Sequence, residues 1–201
     1  MVTYSKTDSA VGNCLSSTKM GMGYHFKTFV SEEQFLMVVK TLQKLRESDF
    51  FWSTMTGKQA SVLLSPHRPG TFLIRESSDH QHLFTLSVKT ETGTKNLRIQ
   101  CDEKSFFLQT DPKNVDSVPH FDCVLKLINY YICQRKASIV YYISAGGERI
   151  PLELIKPLYF SMSTLQHLCR KTINKELDIS SQRDQLPNKV QEYLDKYEVD
   201  I

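Results

Sequence analysis

The stretch that most constrains this chain is Gly70-Thr-Phe-Leu-Ile-Arg-Glu-Ser-Ser-Asp79. Phe72, Leu73 and Ile74 form a short apolar run, which predicts a strand buried on both faces. Arg75 stands at its end, and a guanidinium in a buried strand is costly unless an anion meets it. Ser77, Ser78 and Asp79 follow at once, small polar turn formers with free hydroxyls and amides. An Arg rising beneath a Ser-rich turn can cup a dianion. Its planar fork grips two oxygens, and hydroxyls and amides take the rest. The competing reading is an edge-strand Arg whose charge reaches water.

Composition sets the outer limits. With 201 residues and 40% hydrophobic residues the chain has material for a packed core. A net charge of +3 is too mild to suggest nucleic acid. The five cysteines, at 14, 101, 123, 133 and 169, are odd in number and contain no Cys-x-x-Cys pair. Neither a disulfide framework nor a zinc site is expected, and no cofactor is called for. His80 and His82 read as a surface turn. No apolar run is long enough to cross a bilayer and no signal-peptide core is present, so a reduced cytoplasmic protein is expected.

Along the chain, residues 1–25 lack periodicity and are expected to be disordered. Phe26-Lys27-Thr28-Phe29 precedes a helix start at Ser31. Ser31 and Gln34 offer a capping box, and Val30 with Phe35 a hydrophobic staple. Phe35, Val38, Val39, Leu42 and Leu45 recur at helical spacing, predicting a helix over about 31–47. Phe26 and Phe29 either fold back as core or stay out as anchors for a partner groove.

A new unit opens at Phe50-Phe51-Trp52, with a short helix ending near Ser65. After strand 71–75, residues 82–89 alternate as a half-buried strand. Residues 94–100 then alternate Leu97 and Ile99 against Asn96 and Arg98, and 105–108 add a further strand. Residues 121–132 have helical spacing, and 139–143 with 149–154 read as a hairpin. Helix, strands, helix is an α+β order with a central antiparallel sheet between two helices. Ile155-Lys156-Pro157 reads as a linker.

Beyond it, Ser163 and Gln166 offer another capping box. Leu165, Cys169 and Ile173 fall on one helix side. Leu186-Pro187 starts a last helix bearing Val190, Tyr193, Leu194 and Tyr197 on one face. Helices this short must pack on the main domain, on each other or on partners. A catalytic reading of Cys169 fails for want of a Gly-rich phosphate loop. A small buried hydrophobe fits that helix face better.

The motif GTFLIRESS resembles the phosphotyrosine signature of Src-homology-2 (SH2) domains, and the whole arrangement from about Phe26 onward resembles the suppressor of cytokine signalling family. That resemblance implies an SH2 fold over 50–155, preceded over 26–48 by a kinase inhibitory region with an extended helix. A small helical box over 156–201 would follow. It implies that Arg75, Ser77, Ser78 and Arg98 bind the phosphotyrosine of cytokine receptors. Phe26, Lys27, Thr28 and Phe29 would block Janus kinases as a pseudosubstrate.

It further implies that Leu165, Cys169 and Ile173 contact Elongin B and Elongin C, and that Leu186 and Pro187 contact Cullin-5. Asn188-Lys189 departs from the family's Leu-Pro-apolar-Pro pattern, which implies weaker Cullin engagement. The family's usual Tyr is replaced by Phe35. The Pro- and Ser-rich insert of close relatives is missing between Cys133 and Ser138. The implied function is a non-catalytic inhibitor and ligase adaptor of cytokine signalling. The alternative is a plain phosphotyrosine adaptor.

Overall fold

The computed structural model describes residues 3–4, 28–79, 81–109, 118–134, 141–143, 149–176, 184–197, 199 and 201. Thr3–Tyr4 (β1) pairs in parallel with Thr28–Phe29 (β2), so the first residues do not all lack structure as their composition suggests. Phe26 and Lys27, and the remaining residues of the expected disordered N-terminus, lie outside the described residues.

Helix α1 spans Glu32–Glu47 and starts where the sequence predicts, the Ser31 hydroxyl accepting from the Gln34 amide at 3.1 Å. The return bond shifts by one residue: Gln34 Oε1 accepts from the Val30 amide at 3.0 Å. Gln34 Nε2 meanwhile donates to the Asp102 carbonyl at 2.9 Å, so this side chain is drawn away from a closed capping box. The staple also changes hands. Val30 is exposed, and Phe29 instead sets its ring edge-on to Phe35 with centroids 5.4 Å apart. An aromatic ring hides more apolar area there than Val would. Phe29 therefore folds back as core in the free chain.

After α1, Asp49 adopts φ 60, a left-handed turn that a short polar residue tolerates. It delivers the chain to β3 (Phe51–Trp52) and then α2 (Gly57–Leu64). Thr56 caps α2 in a complete capping box with Gln59, a signal stronger than the apolar residues 61–64 that suggest the helix.

Strands β4 (Thr71–Glu76), β5 (Phe84–Thr90), β6 (Gly93–Cys101) and β7 (Phe106–Leu108) form a consecutive antiparallel ladder. β6 alternates as predicted, with Leu97 and Ile99 buried and Asn96 and Arg98 exposed. β5 does not: Phe84 to Val88 are buried without a break, because helices cover both faces of this central strand.

One face of the sheet, with Phe72, Ile74, Phe84, Leu86, Val88, Leu97 and Ile99, packs on α1 and on α3 (Val124–Gln134). The other carries Leu73, which packs on Ala60 and Leu64 of α2. The sheet thus lies between helices as expected, but α2 and α3 flank it, while the long α1 sits beside α3. α3 begins three residues later than the spacing suggests, since Phe121 bridges Phe106 as an extra strand residue.

β8 (Tyr141–Ile143) and β9 (Arg149–Pro151) form the expected antiparallel hairpin. The linker expectation for 155–157 is overturned. Lys156–Pro157 is a strand, β10, which pairs in parallel with Thr71 and Phe72 of β4. β3 continues the same edge, Phe51 and Trp52 pairing in parallel with Ile74 and Arg75. The sheet is therefore mixed at this edge. Gly70 makes the junction possible: its φ is +85, and a Cβ there would lie 2.4 Å from Ile155.

α4 (Leu165–Glu176) and α5 (Asn188–Asp195) close the chain. Thr164, not Ser163, caps α4, its hydroxyl accepting from the His167 amide at 3.2 Å. Pro187 sits one residue before the first turn of α5, as its cap. Leu194 and Tyr197 are buried as the stripe predicts, whereas Val190 stays exposed. Arg170 is buried between the two helices and α1. It pairs with Glu47 and lies over the rings of Tyr193 and Tyr197 at 4.7 and 4.9 Å.

Candidate phosphotyrosine-binding site

Antiparallel pairing places directly opposed residues on one face. Arg75 stands opposite Thr85, and Thr85 opposite Arg98. One step along, Leu73 faces Ser87, and Ser87 faces Asn96. Both rows belong to the α2 side of the sheet, because Leu73 packs under α2. Arg75, Ser87, Asn96 and Arg98 therefore share one surface beneath the start of that helix.

Arg75 is 4% exposed. Its Nε donates to Ser87 Oγ at 3.1 Å, Nη1 to the Glu76 carbonyl at 3.0 Å, and Nη2 to Asn96 Oδ1 at 3.3 Å. Ser87 Oγ donates in turn to Asn96 Oδ1 at 2.7 Å. All these partners are neutral. Among the described residues no carboxylate lies within ion-pair reach of Arg75, and burial pushes its pKa below the ordinary value. A guanidinium remains charged even so. The result is a fixed, buried cation whose charge no anion of the described residues cancels, the electrostatic condition for an anion site.

Gly57, the first residue of α2, lies against this cation. A Cβ there would come within 3.2 Å of Arg75 Nη2 and 3.7 Å of Asn96 Nδ2. Ser87, Asn96 and Gly57 are the residues that sequence reasoning missed. The i, i+2 alternation of β5 and β6 places Ser87 and Asn96 on a face, but pairing them with Arg75 needs the strand register.

The loop after β4 turns on Ser77 and Asp79. Ser77 is buried, its amide donating to the Leu83 carbonyl at 2.9 Å and its hydroxyl accepting from the Asp79 amide at 3.2 Å. The hydroxyl proton is thus left to point elsewhere. Ser78 is exposed.

The Asp79 carboxylate is held on both oxygens. Oδ1 accepts from the Gln81 amide at 2.9 Å, while Oδ2 meets Arg98 Nη2 at 3.0 Å and His82 Nδ1 at 3.2 Å. The Gln81 amide foremost, then His82 and Arg98, keep its pKa below the usual carboxylate range. Arg98 itself is half exposed and engaged with Asp79 rather than turned to Arg75. His82 is largely covered by this loop, not a free surface residue; His80 lies outside the described residues.

A cavity of about 400 Å³ is lined by Phe51, Trp52, Ser53, Thr54, Met55, Gln59 and Phe160. It includes none of the predicted phosphate ligands.

The remaining predicted positions are not part of this site. Phe29 is buried against Phe35. On α4, the buried residues are His167 and Arg170. Leu165 is 77% exposed, Leu168 and Cys169 are exposed and Ile173 is half-buried. Cys169 is thus not the buried small hydrophobe its spacing suggests. α4 docks through its polar side: Arg170 pairs with Glu47 of α1, Asn174 donates to the Leu194 and Tyr197 carbonyls at the α5 end, and the His167 ring stands edge-on to Tyr197. Its apolar side is turned outward. Leu186 is half-buried and Pro187 exposed. Among the described residues no group of His, Cys, Asp and Glu is arranged to hold a metal, and no helix is long and apolar enough to cross a membrane.

Comparison with known proteins agrees with this architecture. Residues 50–131 match the family model for the SH2 domain. Across the whole length of both chains, the sequence is 49% identical to suppressor of cytokine signaling 3 of Gallus gallus. It is 44% identical to that of Homo sapiens, again over all of both chains. Suppressor of cytokine signaling 2 of Homo sapiens is 36% identical, with 82% of each chain covered.

Proposed function

The chain belongs to the suppressor of cytokine signalling family and is a negative regulator of cytokine signalling, and we propose how its parts divide that work. The SH2 domain binds a phosphotyrosine of an activated cytokine receptor. Arg75 takes the phosphate with its unspent N–H groups, Ser77 and Ser78 close the loop over it, and Arg98 adds the second cation. The observation that carries this reading is the buried Arg75 guanidinium, ringed by Ser87, Asn96 and a backbone carbonyl but, among the described residues, by no carboxylate. A dianion relieves the cost of that burial, which neutral hydrogen bonds offset only in part.

The segment Phe26 to Phe29 blocks the receptor-bound Janus kinase. With no Tyr at the acceptor place it occupies the substrate groove without reacting. Because Phe29 rests in the core of the free chain, it must exchange Phe35 for the kinase groove. That exchange makes the contact weak in isolation. Holding both on one receptor raises the effective concentration enough to compensate.

The C-terminal helices recruit a cytoplasmic ubiquitin ligase. Elongin B and Elongin C take the outward apolar side of α4, at Leu165, Cys169 and Ile173, while Leu186 and Pro187 meet Cullin-5. The exposure of that side favours this reading over a plain adaptor, since an unpartnered apolar helix face calls for a covering surface.

Calorimetry with a phosphotyrosine peptide from a cytokine receptor tests the central step. Arg75→Lys is expected to abolish binding, because an ammonium is a point donor that cannot reach Ser87, Asn96 and two phosphate oxygens together. Undiminished affinity in that variant, with the fold intact, removes Arg75 from the site.

A further inference from the structure

The segment that ends in Phe29 carries a second restraint besides Phe35. Its residues Thr28–Phe29 are paired along the backbone with Thr3–Tyr4, in parallel, Thr3 opposite Thr28 and Tyr4 opposite Phe29. These two strands form a sheet of their own, apart from the main sheet. Among the described residues, β1 is therefore the only strand beside β2. The chain just beyond is anchored as well, the Val30 amide donating to Gln34 Oε1 at 3.0 Å. A partner that grips this segment in extended form has to take the residues up to Phe29, the ones that β1 already lines.

We propose that Thr3–Tyr4 is a removable cover: it occupies the backbone edge of the inhibitory segment in the free chain and competes with the kinase groove for it. The proposal rests on the kinase-blocking reading of Phe26 to Phe29. It adds a device that confines the block to a kinase held on the same receptor.

The strength of the cover decides how it behaves. A parallel pair of two residues per strand is weak, since it orders two backbones for few hydrogen bonds and has no third strand to support it. Its two halves belong to one chain, joined through residues 5–27, and that linkage raises their effective concentration. Such a pair forms yet opens readily. A cover closed for about half to four-fifths of the time weakens the apparent affinity for a kinase in solution by about two- to fivefold. On a shared receptor the local concentration of the segment is high enough to fill the groove in spite of that loss. The cover therefore quiets the chain toward kinases met in solution and is overridden at the receptor.

The test uses the full chain. Thr3→Pro combined with Tyr4→Pro removes two backbone donors and disfavours strand pairing. This double variant is expected to inhibit an isolated Janus kinase catalytic domain about two- to fivefold more strongly than the parent chain, with phosphopeptide affinity unchanged. Inhibition of a kinase bound beside the chain on one phosphorylated receptor segment is expected to change by less than about 1.5-fold. Thr3→Val combined with Tyr4→Phe keeps every backbone donor and is expected to match the parent chain.

Unchanged or weaker inhibition of the isolated kinase by the double Pro variant overturns the proposal. An equal gain in the Val and Phe variant, or an equal gain on the receptor, overturns it too. Phe29→Ala separates the two levels of inference. If inhibition survives that substitution, the blocking segment is misassigned; if inhibition is lost, a missing gain in the double Pro variant counts against the cover alone.

Discussion

Arg170 Nη2 lies 2.7 Å from Glu47 Oε2, joining the middle of α4 to the last residue of α1. The same guanidinium lies over the rings of Tyr193 and Tyr197, so one buried cation holds three helices together. Arg170→Ala is expected to cost about 2–4 kcal/mol, from lost ring contacts and the broken pair. Glu47→Gln should cost well under half as much, since Glu47 is partly solvated and a polar group remains. Urea unfolding of the two variants measures both.

The same junction is sensitive to acid. Arg170 Nη2 stands 2.7 Å from His167 Nδ1, so the imidazole must accept there and remain neutral. Burial foremost, then Arg170 and Lys171, depress its pKa in the fold, against the weaker pull of Asp49 and Glu47. The unfolded chain therefore takes up the proton first. Stability is complete above the ordinary His value of about 6.5 and declines as the pH falls below it. Urea midpoints at about pH 7.5 and about pH 5.5 should differ in that sense, and His167→Gln should narrow the difference.

Gly57 touches the candidate site through absence of a side chain. A methyl group there would press on Arg75 Nη2 at 3.2 Å. Gly57→Ala is expected to weaken phosphopeptide binding several-fold without lowering the melting temperature, because Ala favours the first turn of α2. Calorimetry paired with thermal unfolding separates the two effects.

Leu165 offers the opposite test, on a surface that contributes nothing to the fold. Being 77% exposed, it can become Asp with a change in stability of less than about 0.5 kcal/mol. Leu165→Asp should nevertheless lose co-purification of Elongin B and Elongin C. Retained capture would leave the plain adaptor reading in place.

Local signals carried far in this chain. Ser31 capped its helix, the apolar run at Phe72 to Ile74 became a strand buried on both faces, and Arg75 stayed buried under the start of α2. What escaped notice depends on contacts between residues remote in sequence. Asn96 reaches Arg75 across the intervening β5, and Gln34 turns its side-chain nitrogen to Asp102. Asp79 claims Arg98 only because β6 runs beside the loop. The apolar spacing of Leu165, Cys169 and Ile173 identified a face correctly, but not that the helix docks by its polar side. Periodicity says which residues lie together and is silent on which way they turn.

Lys156 and Pro157 lie alongside β4, the strand that carries Arg75, and Leu158 donates its amide to the Phe72 carbonyl at 2.7 Å. A tug on the terminal helices is therefore passed to the strand that carries Arg75. Shortening the protein at residue 155 strips a neighbour from that strand, so a fragment trimmed there would be a poor stand-in for the intact molecule.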